Sequence, residues 1–124
     1  MPPSWINIHM TPLTLQPSQV KGKRYVISVP RAGRFVKINF GSSDHENYTI
    51  HHDPERKRLY QVRHKNDHIN DPYSAGFWSW WVLWNKPTIE ESLKEAIAKA
   101  KRHFIWGVVD ARLAQILVLQ IWTS

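Results

Sequence analysis

The chain has 124 residues, with 17 Lys+Arg against 10 Asp+Glu for a formal charge of +7, and it contains no cysteine. That length suits one domain with extensions, and the missing thiols exclude disulfides and thiolate zinc sites. The positive balance favours polyanionic partners: nucleic acid, anionic lipid headgroups or acidic protein faces.

Residues 1–20 mix Pro2, Pro3, Pro12 and Pro17 with isolated apolar residues, among them Trp5, Ile6, Ile8, Leu13 and Leu15. Met1 to Trp5 lack the basic region and apolar run of a secretory signal, so no signal peptide is expected. The segment reads as an extended N-terminal arm whose apolar residues dock on a neighbour or pack down on the domain itself. A compact domain is expected over residues 21–103.

Residues 21–40 read as a β-hairpin. Tyr25, Ile27 and Val29 alternate with Val26 and Ser28, and Val36, Ile38 and Phe40 alternate with Phe35, Lys37 and Asn39. Pro30-Arg31-Ala32-Gly33 supplies the turn, with proline fixing φ and glycine taking a left-handed position. Tyr48-Thr49-Ile50-His51 is a candidate third strand, since a two-stranded hairpin alone is marginal. Asp53-Pro54 then opens a helix with Asp53 as N-cap, Pro54 at the first position and Glu55 at the positive end. It runs to about Lys65, with Leu59 and Val62 expected inward beside Tyr60 or Arg63. Its basic surface (Arg56, Lys57, Arg58, Arg63, His64 and Lys65) is a candidate polyanion contact through phosphates, with Tyr60 and Tyr73 as stacking neighbours.

After a polar loop, Asn66 to Asp71, comes the most unusual stretch, in which Trp78, Trp80, Trp81 and Trp84 fall within seven residues. Rings of this size need a core or a partner. Ser74 is a plausible N-cap; Phe77, Trp81 and Trp84 then share one α-helical face, with Trp80, Leu83 and Trp84 as an adjacent stripe. Phe77, Trp78, Trp81 and Trp84 are expected in the structural core, and Pro87 stops the helix.

Thr88-Ile89-Glu90-Glu91 is a capping box. Ile89, Leu93, Ile97 and Ala100 follow along one face, and Glu90–Lys94 and Glu95–Lys99 are spaced as i,i+4 pairs. Residues 104–124 form an apolar C-terminal extension. Asp110 and Arg112 within it, with Gln115 and Gln120, argue against a bilayer span. A segment buried by another chain is the preferred reading, giving candidate interface residues Trp5, Ile8, Leu13, Phe104, Trp106, Leu113, Leu117 and Trp122.

Several stretches carry a resemblance. Asn39-Phe40-Gly41, His52-Asp53-Pro54-Glu55-Arg56-Lys57, Arg63-His64-Lys65, Asp71-Pro72, Ala75-Gly76-Phe77-Trp78-Ser79 and Leu83-Trp84-Asn85-Lys86-Pro87-Thr88 recur in that order. Together they resemble a small domain of large DNA viruses of algae and protists and of some phages, over roughly residues 23–98. The resemblance implies a viral origin and a compact domain, and it implies no reaction.

Catalytic patterns are weak. His45, His51, His52, His64 and His68 cluster, and His64/His68 stand at i,i+4, but no HExxH pattern accompanies them, so no metal site is assigned. Asp67-His68-Ile69-Asn70 has the opening residues of a His-Asn-His nuclease without its later Asn and His. No serine sits in a G-x-S-x-G setting and no Walker or GxGxxG loop is present, so no cofactor is expected.

The sequence therefore leads to an α+β domain, a β-hairpin or three-stranded antiparallel sheet packed on two or three short helices, with extended termini. The function expected is that of a non-enzymatic minor capsid or cement protein. Its terminal arms would link other capsid proteins of the same virion in many copies, after assembly in the host cytoplasm. The alternative is a basic nucleic-acid-binding or genome-packaging protein.

Overall fold

The computed structural model describes residues 13–106, with side chains as far as Phe104. The fold is α+β: a three-stranded antiparallel sheet in the order β1 (Leu15–Pro17), β2 (Lys23–Arg31), β3 (Arg34–Ser42), followed by helices. The helices are α1 (Tyr48–His51), α2 (Pro54–His64), α3 (Ala75–Trp78), which continues as a π turn over Ser79–Leu83, and α4 (Ile89–Trp106).

The third strand comes from the N-terminal segment and not from Tyr48–His51. Leu15, Gln16 and Pro17 pair with Ile27, Val26 and Tyr25, and the Leu13 amide donates to the Ser28 carbonyl at 2.6 Å. Leu13 is buried in the core cluster, so this part of the expected arm belongs to the domain. Tyr48–His51 is instead one helical turn. Asn47 sits extended ahead of it, and its side chain accepts from the Thr49 amide and hydroxyl; such a cap favours helix over strand.

The hairpin turn is also tighter than expected. Pro30 lies within β2 opposite Phe35, and the two-residue loop Ala32-Gly33 closes on Arg31–Arg34, with φ of +51° and +78°. Two positive φ values match the right-handed twist of the strands, whereas a Pro-led type I turn would splay them. Closure on Arg31–Arg34 turns the polar groups of Pro30 away from β3. The Tyr73 hydroxyl donates to the Pro30 carbonyl there, at 2.7 Å.

One face of the sheet, carrying Ile27, Val29, Ile38 and Phe40, meets Phe77, Trp78, Val82 and Leu83, with Ala96 and Ala100 of α4 closing the cluster. The buried pairs Phe77/Val82 and Trp78/Leu83 are five residues apart, the π-helical spacing, so the widened turn selects a face that 3.6-residue periodicity does not. Trp78 is fully buried, and its Nε1–H donates to the Pro72 carbonyl at 2.7 Å. Trp81 and Trp84 pack half-buried against the same cluster.

On α4, Ile89, Leu93 and Ile97 pack against the core beside Ala96, Ala100 and Phe104, as the periodicity predicts. Neither expected i,i+4 ion pair forms within 4 Å among the described residues. The Glu95 carboxylate accepts from Asn85 Nδ2 at 2.8 Å, and Lys99 Nζ lies 4.1 Å from the centre of the Trp81 ring. A cation over indole competes well with an exposed ion pair, which contributes about 1 kcal/mol or less. Among the described residues no helix is long and apolar enough to cross a membrane.

Candidate functional site

Helix α2 presents a different face from the one its aliphatic residues predict. Leu59 and Val62 point outward, 40% and 55% exposed, while Tyr60 is buried. The cause lies at the end of the π turn, where the backbone carbonyls of Trp84 and Asn85 need donors. Gln61 Nε2 donates to the Trp84 carbonyl at 3.3 Å and Lys57 Nζ to that of Asn85 at 2.6 Å. With Tyr60 and His64, these residues make the 57/60/61/64 stripe the inner face. Tyr60 then stacks on Trp84 with centroids 4.3 Å apart and planes 3° from parallel.

The stack is longer than one pair. His64 lies on Tyr60 at 4.3 Å with planes 25° apart, and His51 approaches Trp84 at 5.3 Å with its plane tilted by 56°, giving the column His51–Trp84–Tyr60–His64 in which the last three rings stack. Burial pushes the Tyr60 hydroxyl up to about 12, so it remains a neutral group beside Ser79. Burial also lowers the His51 pKa, with Arg56 adding to the effect. His51 Nδ1 accepts from the Asp53 amide at 3.0 Å, while its Nε2 is buried without a hydrogen bond among the described residues.

Beside this column lies an open cleft of about 780 Å³ between the Gly22–Lys23 and Gly41–Ser42 backbone and α2, bounded further by His45, Glu46, the Asp67 loop and the start of α3. Its volume falls within the range of small-ligand sites. Two glycines fix its walls. A Cβ on Gly41, at φ +80°, would meet Leu83 Cδ1 at 2.7 Å, and one on Gly76 would lie 1.9 Å from the Asp67 carbonyl oxygen. Ser74 caps α3 by accepting from the Gly76 amide at 3.0 Å, which holds this corner against the Asp67 loop.

The basic residues of α2 do not act as one surface. Arg56 and Arg63 line the cleft with Lys23, and among the described residues neither guanidinium has a hydrogen bond or ion pair. Lys57 is committed to Asn85 and also lies 5.0 Å from the Tyr48 ring centre. Arg58 pairs with Glu55 at 2.6 Å, and that hydrogen bond lowers the Glu55 pKa and raises that of Arg58. Lys65 lies away from the cleft, next to His68 in a separate shallow depression. His64 and His68 do not share a helical face, because α2 ends at His64: His64 Nδ1 contacts Asp67 at 2.6 Å, and His68 takes a left-handed φ of +56° in the loop that follows. Among the described residues no three His, Asp or Glu side chains gather to hold a metal.

Of the candidate interface residues, Leu13 is a core residue, and Phe104 is half-buried with its ring 5.9 Å from Tyr73. Helix α4 is described through Trp106, so it spans the boundary expected between residues 103 and 104. Trp5, Ile8, Leu113, Leu117 and Trp122, and the side chain of Trp106, lie outside the described residues. Sequence reasoning missed His45, Lys23 and the glycine walls as parts of one site, because nothing local joins residue 23 to residue 63.

A family of unknown function (DUF5754) matches residues 13–64. That stretch contains the sheet, α1 and α2, hence the cleft's cationic side, and it stops before the tryptophan-rich turn. No curated protein and no solved structure gives a significant match to the chain.

Proposed function

We propose that the chain is a non-enzymatic structural component of a viral particle, a minor capsid or cement protein that links neighbouring capsid proteins through its terminal segments. One observation supports this reading most. Residues 13–104 bury an aromatic and aliphatic cluster among themselves, yet the sequence continues with Ile105, Trp106, Val108, Val109, Leu113, Ile116, Leu117, Val118, Leu119, Ile121 and Trp122. So much apolar area on a soluble chain marks an interface, and a neighbouring capsid protein is the cover proposed here. With Leu13 inside the core, the N-terminal contribution rests on Trp5 and Ile8. The viral context comes from the signature stretches noted in the sequence.

The test is removal of residues 107–124, which retains Ile89–Trp106 of α4. The shortened chain should keep a cooperative unfolding transition, gain solubility and be lost from purified particles, as counted by quantitative mass spectrometry. Normal copy number in particles would refute the proposal. Loss of cooperative unfolding would also refute it, by making the segment part of the domain's own core.

A further inference from the structure

We propose that the cleft beside α2 binds a nucleotide, either free or as one residue of a single strand. Its base would stack on the open face of His64 and its phosphate would lie between Arg56 and Arg63. This goes beyond the structural role above and does not depend on it.

Three observations converge. The ring column His51–Trp84–Tyr60–His64 ends in the cleft: Tyr60 covers one face of His64, no other described ring stacks on it, and the side chain is 40% exposed. A planar base would extend the column by one member, and its π face suits an imidazole anchored at its edge by Asp67. Next, Arg56 and Arg63 stand two helical turns apart on the same side of α2, about 10 Å along the axis, without ion pairs of their own among the described residues. Guanidinium groups recognise phosphate oxygens through paired N–H donors, and two such groups flanking a cleft can share one phosphate or hold two. Finally, the charge is concentrated where it is needed. Lys23 joins the two arginines, so three cationic side chains line the cleft against two carboxylates, Glu46 and Asp67, the second of which contacts His64 Nδ1. The arginines that would carry the phosphate are distinct from Lys57, Arg58 and Lys65, which are paired or face elsewhere.

The experiment uses the full chain with two probes, ADP by calorimetry and fluorescein-labelled dA12 by anisotropy, each at low and physiological salt. Saturable binding of either probe is expected; ADP alone points to a free nucleotide, and dA12 alone to a strand. The double variant Arg56→Gln/Arg63→Gln should weaken binding by about tenfold or more, and His64→Ala by about fivefold or more. Arg58→Gln and Lys65→Gln change net charge by the same amount as the double variant when combined, and should leave affinity within about twofold. The proposal is overturned if neither probe binds at millimolar concentration, or if the Arg58/Lys65 pair weakens binding as much as the Arg56/Arg63 pair. It is equally overturned if tripolyphosphate binds as tightly as ADP, since the base would then contribute nothing. Thermal melts of each variant separate loss of the site from loss of the fold.

Discussion

Trp78→Ala is the substitution that should damage this domain most. The side chain is fully buried between Phe40, 6.5 Å away, and Phe77, 4.9 Å away, and its indole N–H holds the buried Pro72 carbonyl. Burying 150–250 Å² of ring at about 25 cal/mol per Å² contributes about 4–6 kcal/mol. Measured large-to-small changes of this kind cost about 3–5 kcal/mol, and the abandoned carbonyl adds about 1–3 kcal/mol. The total is comparable with the whole stability of a small domain, roughly 5–15 kcal/mol. Urea titration followed by far-ultraviolet circular dichroism should find the variant largely unfolded or its midpoint sharply lowered. Trp78→Phe, which keeps most of the packing and loses the donor, should remain folded and give a measurable intermediate loss. Trp84→Ala should cost less than Trp78→Ala, because Trp84 is half-buried and its best contact is a single ring stack. A loss below about 2 kcal/mol for Trp78→Ala, or a larger loss for Trp84→Ala, would mean that Trp78 is not the centre of the core.

Two further outcomes follow from single contacts. Gly76→Ala places a methyl 1.9 Å from the Asp67 carbonyl, so the 67–71 loop must move. A melting temperature within 2 °C (about half a kcal/mol) of the unmodified chain would contradict the close approach described. His51 has a folded pKa below its unfolded value of about 6.5, so its neutral ring adds stability above that pH. This contribution is lost as pH falls through the unfolded value toward the folded one. His51→Asn retains an acceptor for the Asp53 amide, and it should flatten the fall in stability between pH 7 and pH 5; an unchanged slope in paired denaturation curves would remove His51 from that account.

Much of the molecule is local and therefore readable from the chain. Asp53-Pro54 and Ser74 start their helices because a side-chain oxygen next to a free amide caps it whatever the rest of the fold does. The Asp53 carboxylate indeed accepts from Glu55 and Arg56, and Thr88 Oγ1 from Glu91. The alternation in β2 and β3 likewise places Ile27, Val29, Ile38 and Phe40 on one face by strand geometry alone. What the chain could not decide was which partner each face meets. Leu59 and Val62 look like the inner face of α2 until the unpaired carbonyls of Trp84 and Asn85 draw in Gln61 and Lys57 and rotate the helix toward Tyr60. Phe77 and Trp78 are buried as expected, but the one-residue widening at Ser79–Leu83 gives the next buried positions to Val82 and Leu83 and leaves Trp81 and Trp84 half-buried, an offset invisible to a fixed 3.6-residue period. Leu13 and Leu15 join the sheet only because β2 offers them a free edge. The cleft is the most tertiary feature of all: Lys23, Arg56, Arg63 and His64 meet across segments forty residues apart, and only packing around two glycines brings them to one surface.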